Sequence, residues 1–469
     1  MKYLLIALLS VFSLKSPAQK ATEVEVGLFA DGRRIMGHEF KPAHEIIDIS
    51  IDTARQEVVM VLMKKQDGWD RMAERVMLQQ ALFDIKTNSF RWAKDFPIHQ
   101  PCSYVFSKKR FMRVGAGKTT CYDKADGRQL WAANVPVVVT DDDANVAISP
   151  GGTAYDLNTG AKRWYRGFRP EQWKTYTYVN DTTMVVVSDA LHYIRITDGE
   201  GWDFAGEKVR GFSEFARYSS NVLIENNKIY FATTANMYCL DTSGRIVWKQ
   251  RLPEKTGSVS YIDFNAQYIV MTNYGSSWTG GKTGAAFLAA WHKENGQQKY
   301  LQMVEPKDKI IDLYGNATSN VMICSKHVYR YNVYTGEKII DVKIKGTPFE
   351  NYYYLLHPYT CLVRDDDGKF LNIWEKYEDD SFWMNPQDES ILRVDHRMRP
   401  IDTIAAENWW GLYKRKPEYY LVRKNGKSVM VRDGTKFADL YIKSAVEVGD
   451  KLVNIEKDRI RIIDLKGWF

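Results

Sequence analysis

Cysteine is scarce and scattered in this 469-residue sequence, with five residues at 102, 121, 239, 324 and 361. No two are adjacent, and neither C-x-x-C nor C-x-x-C-H occurs, which excludes covalent haem attachment by that signature and makes a disulfide framework unnecessary. In an oxidising compartment the odd count leaves at least one thiol unpaired. The eight histidines (His38, His44, His99, His192, His292 and His327 among them) show no H-E-x-x-H or other tight ligand spacing. A G-x-S-x-G nucleophile motif is also missing. After residue 20 nothing approaches the eighteen consecutive apolar residues of a membrane-spanning helix. No long segment repeats its apolar residues with a 3.6-residue period, so helices are not the organising element.

Charge is mixed. Sixty-five Lys and Arg against 58 Asp and Glu give a formal +7, a surplus too small to indicate nucleic acid. The basic runs Lys108-Lys109-Arg110 and Lys414-Arg415-Lys416 read as solvated faces beside strands. At the N-terminus Lys2 precedes the apolar stretch Tyr3 to Leu14, and Ser16-Pro17-Ala18 supplies a small-x-small site. These are the parts of a cleavable export signal. Residues 1–18 are therefore expected to be a signal peptide and 19–469 a mature domain that is periplasmic or secreted. With no cysteine before Cys102 there is no lipobox, so membrane association is expected only through partners.

What the sequence has in quantity is aromatic side chains (13%, with 14 Trp and 28 Tyr), which suit strands. They recur at fixed places. Asp156, Gly160 and Trp164 stand at offsets 0, +4 and +8, and Asp123, Gly127 and Trp131 repeat them. So do Asp84, Asn88 and Trp92; His292, Gly296 and Tyr300; Asn332, Gly336 and Ile340; and Glu375, Asp379 and Trp383. Asp241, Gly244 and Trp248 form a copy with a shorter turn, and Asp198 and Gly199 precede Trp202. Gly, Asn and Asp tolerate positive φ and close tight hairpins, while the leading Asp bonds backbone N–H groups two residues on. Successive aromatics lie 33 to 52 residues apart, enough for four short strands each, one propeller blade.

The full pattern A-x-D-x-x-T-G-x-x-x-W, met at Ala154 to Trp164, resembles the tryptophan-docking repeat of the PQQ-like (quinoprotein alcohol dehydrogenase-like) β-propellers. The resemblance covers roughly residues 80 to 385. It implies that Trp92, Trp131, Trp164, Trp202, Trp248, Tyr300 and Trp383, with Ile340 as a weaker member, dock between neighbouring blades. The expected fold is an all-β single propeller of four-stranded blades; the spacing allows seven to ten, and the resemblance favours eight. The strand-like tail stops where a last hairpin should begin, so a segment near Glu23 to Met36 is expected to complete the final blade and close the ring.

The family includes enzymes that hold pyrroloquinoline quinone (PQQ) with calcium, using a vicinal disulfide absent here. No cofactor is therefore expected, neither PQQ nor calcium. Cys121 and Cys239 take the place of Ala154 and read as small buried side chains. Asp141-Asp142-Asp143 and Asp365-Asp366-Asp367-Gly368 lack alternating calcium-loop spacing and read as hairpin turns. Gly275 to Gly284 ends in Gly-Lys-Thr but lacks the first glycine of a phosphate loop. Trp278 in that loop, together with Trp409 and Trp410, is a candidate surface contact. The expected function is a non-enzymatic protein-interaction scaffold of the cell envelope, similar to the propeller component of the outer-membrane β-barrel assembly machinery. The alternative is a quinone-dependent dehydrogenase or a propeller that binds a small ligand or glycan.

Overall fold

The computed structural model describes residues 21–468 apart from 64–77, 97–101, 171–172, 208–217, 254–259, 266, 275–285, 306–307, 309, 316–318, 325, 333, 355–360, 365–366, 378–379, 396, 416–418 and 425–426. Strands follow one another as antiparallel meanders, and eight separate four-stranded sheets run in chain order. They occupy residues 45–96, 103–133, 139–165, 175–204, 223–251, 260–303, 310–343 and 353–404. An eleven-stranded sheet holds two further four-stranded units. One is 409–440; the other is Val446–Val448, Lys451–Glu456 and Arg459–Asp464 completed by Arg34–Phe40. Alternation decides the faces: middle strands such as Glu57–Met63 are buried on both sides, whereas edge strands such as Thr175–Asn180 alternate between covered and exposed residues.

Neighbouring sheets pack face to face in sequence. Val59, Leu82 and Trp92 of the first meet Phe111 of the second, and Met184, Val186 and Ile194 of the fourth cover Val146, Ile148 and Trp164 of the third. The last sheet returns to the first, since Val448, Val453, Ile460 and Ile462 share a core with Ile46, Val58, Met60 and Phe83. The fold is a closed β-propeller. Among the described residues the strands make ten blades, not the eight that the resemblance favours, at the upper end of what the repeat spacing allows.

Closure comes from the N-terminus. Arg34–Phe40 pairs antiparallel with Arg459–Asp464, with His38 opposite Ile462 and Phe40 opposite Ile460. The strand before it, Thr22–Phe29, pairs with Arg34–Phe40 on one side and with Thr435–Leu440 of blade 9 on the other. One hairpin thus completes blade 10 and fastens it to blade 9, over a core of Val26, Ile35, Leu440, Leu452 and Ile463. The completing strand starts further along the chain than Glu23, and Trp468 caps the join against Phe29, ring centroids 4.9 Å apart.

Because each blade is an up-and-down meander, its connections alternate between two faces of the ring. First-to-second and third-to-fourth strand turns lie on one face and are tight, as at 52–57, 141–146 and 241–246. Among the described residues the exception is in blade 8, where 355–380 carries the hairpin Cys361–Arg364 and Phe370–Asn372 and the short helix Ile373–Lys376. At the other face lie the strand ends that the long connections join, Met63 and Leu78, Tyr165 and Thr175, Phe204 and Leu223, and Asn273 and Phe287.

Candidate interaction surfaces

The repeated aromatics occupy one geometry. The indole N–H of Trp92 donates to the Lys124 carbonyl of the next blade at 2.9 Å, Trp131 to Leu157 at 3.0 Å and Trp164 to Ile196 at 3.1 Å. Trp202 reaches Thr242 and Trp248 reaches Lys293, both at 2.9 Å. Every acceptor directly follows the first residue of the next blade's outer turn. The indole lies against the glycine that closes this turn: Gly127 under Trp92, Gly160 under Trp131, Gly199 under Trp164, Gly244 under Trp202 and Gly296 under Trp248. Tyr300 lies on Gly336 in the same way, but its buried hydroxyl has no partner among the described residues. In blade 4 the turn opens at Arg195, whose carbonyl accepts from Gly199 N–H at 2.8 Å.

Trp383 is different. It sits on the second strand of blade 8, Ser381–Met384, opposite Leu392 and Tyr354, whereas the docking position is on the fourth strand. Glu375 belongs to the helix Ile373–Lys376, and Asp379 lies outside the described residues. It is buried against Ile340 and Phe349 and so still fills the seam between blades 7 and 8. The outer turn of that blade is Asp395 to Arg399, with Met398 at φ 62° in place of glycine.

Of the candidate surface contacts, Trp278 lies outside the described residues. Trp409 and Trp410 begin the inner strand of blade 9 and are half-buried. Trp409 donates to the Glu389 carbonyl at 2.8 Å, and Trp410 packs on Phe370 with centroids 4.3 Å apart. Both make internal contacts while remaining partly exposed. Their strand pairs with Cys361–Arg364, and this inserted hairpin covers the rings. The acidic run at 141–143 forms a turn: Asp141 accepts from Ala144 N–H, and Asp142 and Asp143 meet the backbone and ammonium of Lys108.

Buried charge concentrates at blades 1 and 2. The Lys124 ammonium lies 2.5 Å from Glu57 and 3.2 Å from Asp52, all three side chains nearly inaccessible. Arg91 adds a second contact to Glu57 and Arg55 one to Asp52. Burial alone would raise the Asp52 carboxyl, but Arg55 and Lys124 outweigh it and hold it below the ordinary carboxylate range. The same residue slot in blade 6, Lys293, reaches back to Glu225 at 2.9 Å. Both clusters tie one blade to the next. Cys121 and Cys239 are fully buried; burial pushes their thiols up to about 12 and about 11, so neither is a poised thiolate.

On the long-loop face the connection 165–175 brings together side chains that do not belong to the repeat. His192 is held between Asp203, 2.9 Å from Nδ1, and Asp189, 3.4 Å from Nε2, and lies on the Phe168 ring at 4.4 Å. Arg166 pairs with Asp203 and Arg169 lies 3.7 Å from Asp189. Burial raises Asp189, yet the Ser188 hydroxyl and His192 hold its carboxyl low. From Phe168 an aromatic row continues through Trp173, Tyr176 and Tyr178, at centroid steps of 6.1, 6.3 and 6.1 Å. The sequence signal was available: Arg166 to Lys174 interrupts the repeat with a connection longer than the one before it, carrying Arg166, Phe168, Arg169 and Trp173.

Among the described residues no three His, Cys, Asp or Glu side chains come together in a metal-holding group.

No family model and no curated protein matches the chain. Several solved structures are similar to it at low identity. BamB from Moraxella catarrhalis is 14% identical, with 77% of this chain and 96% of that chain covered and a TM-score of 0.36. Apo AztD from Citrobacter koseri is 8% identical over 83% and 96%, with a TM-score of 0.32. The C-terminal WD40 domain of Sif2 is 8% identical over 96% and 99%, with a TM-score of 0.26.

Proposed function

We propose that this chain is a non-enzymatic interaction scaffold of the cell envelope, built on PQQ-like propeller repeats and exported through the signal at residues 1–18. The observation that carries the reading is the inequality of the two faces. One face is nearly all tight turns, while at the other lie the strand ends that the long connections join and the Arg166, Phe168, Arg169, Trp173, Asp189 and His192 cluster. Partner-binding residues fall disproportionately on loops held by a rigid framework, and the docked indoles supply that framework. The chemistry of the cluster favours recognition: its cations and carboxylates are already paired, and its aromatics lie beside them.

The test is affinity purification of the tagged mature protein from envelope extracts, beside a variant whose 165–175 connection is replaced by a short Gly-Ser turn. Recovery of the same protein at stoichiometric level, lost in the variant, supports the reading; no partner above background refutes it. Adding PQQ and calcium and following cofactor absorbance through gel filtration tests the enzyme alternative, and a stable complex would overturn the scaffold reading. N-terminal sequencing of the exported protein checks cleavage after Ala18.

A further inference from the structure

In this ring the first strand of each blade forms the inner edge, and the first strands of blades 1, 2 and 3 approach one another. Some of the exposed apolar surface lies on these inner edges: Ile47 and Ile49 in blade 1, Tyr176 and Tyr178 in blade 4, Tyr261 in blade 6. An open edge is a template for another strand. The molecule uses that template twice on itself. Cys361–Arg364 is added to the inner edge of blade 9, and Thr22–Phe29 to the outer edge of the same blade. Thr175–Asn180, the inner strand of blade 4, has no strand on its open side among the described residues.

That edge also carries directed chemistry. Tyr176 and Tyr178 are 39% and 43% exposed and continue the row from Phe168 and Trp173. Lys174 stands at the long-loop end of the strand, on the same side of the alternation as the two tyrosines. It has no carboxylate partner among the described residues. Much of its surface is open, yet the protein around the ammonium desolvates it enough to lower its pKa, and no acid opposes this. At the far end Asp141 lies near enough to Tyr178 to help burial push its hydroxyl up to about 12. The edge is therefore cation at one end, aromatic in the middle and anionic at the other.

We infer that the inner edge of blade 4 binds an extended peptide segment as an added strand, its acidic residue at the Lys174 end and its apolar side chains on Tyr176 and Tyr178. Backbone pairing supplies affinity and the alternate side chains specificity. This deepens the scaffold reading and rests on it.

The test is selection of displayed random twelve-residue peptides on the full mature protein, followed by calorimetric titration of the recovered consensus. The expected consensus alternates apolar residues and places Asp or Glu near one end. Lys174→Gln should weaken it about ten-fold, the scale of one charge-assisted hydrogen bond. A central proline in the peptide should abolish binding by removing an edge donor. Tyr176→Ala with Tyr178→Ala should weaken it further, and Tyr165→Ala, another exposed tyrosine, should not. Selection without acidic residues, or binding indifferent to Lys174→Gln, overturns the inference. The same affinity purification with the Lys174, Tyr176 and Tyr178 triple variant separates the two readings: a partner retained by the variant removes this edge and leaves the scaffold.

Discussion

Adding one methyl group to Gly160 tests whether the docked indoles hold the ring together. Gly160 closes the outer turn of blade 3 at φ 71°, and a Cβ built there would lie 2.6 Å from Cγ of Trp131. Gly160→Ala therefore carries two costs: about 1–2 kcal/mol for an L-residue in the left-handed region and about 1–3 kcal/mol for forcing a packed indole aside. Gly32 is the internal control, because its φ is 84° but nothing lies within 4 Å of its absent Cβ. Gly32→Ala should show only the first cost. Urea unfolding of both variants measures the difference; at a slope of about 3 kcal/mol per molar it is a midpoint gap of about 0.3–1 M. In a Trp131→Leu background the extra cost of Gly160→Ala should shrink toward that of Gly32→Ala, because the two residues couple directly. Equal shifts for the two glycines, or no coupling to Trp131, would refute the docking argument.

Four further outcomes follow from the same geometry. Tyr300→Trp should raise the unfolding midpoint, by about 1 kcal/mol for a recovered indole hydrogen bond; a lowered midpoint would mean the slot has narrowed around tyrosine. Lys124→Met should destabilise by an amount near the low end of about 3–5 kcal/mol, since Arg55 and Arg91 still partly answer the buried Asp52 and Glu57; denaturant titration measures it. Asp241 and Asp395 are held at about 2, the first chiefly by the Ser243 hydroxyl and the second by the Arg399 backbone N–H. Both are depressed below an unfolded value of about 3.9, so their contribution is full above that pH and lost as pH falls toward 2. The gap between wild type and Asp241→Asn in a stability–pH series should close over that window. Deleting residues 20–40 removes both the closing strand and its bridge to blade 9, and should lower the melting temperature sharply.

The sequence disclosed the fold where local chemistry repeats. In blades 1 to 6 a positive-φ turn and a large aromatic recur because each blade solves the same packing problem with its neighbour, and blade 7 keeps the turn with Ile340 in the aromatic's place. Legibility fails from blade 8 onward for physical reasons. Its turn uses Met398 where glycine is usual, its helix imitates the offset before Trp383, and the Arg432 to Thr435 turn of blade 9 is too short to show the pattern. Closure was legible as a missing strand, but its register was not, since pairing of Arg34–Phe40 with Arg459–Asp464 depends on residues at opposite ends of the chain. The His192 cluster was harder still. Asp203 is the cross-strand partner of His192 and Asp189 lies three residues before it, but Arg166 and Phe168 reach them from the connection leaving blade 3, a contact that no repeat offset records.

The hairpin that closes the ring also sets a timetable. Arg461 and Glu39, which pair across the closing strands, are 422 residues apart. A chain made from its N-terminus at about 5–20 residues per second keeps the first waiting roughly 20 to 85 seconds for the second. During that interval blades 1 to 8 can form and dock in order, while residues 22–40 remain a pair of unmatched strands. Until Arg459–Asp464 emerges, the chain therefore carries a sticky end, and crowding among chains at that stage is where assembly is most easily diverted.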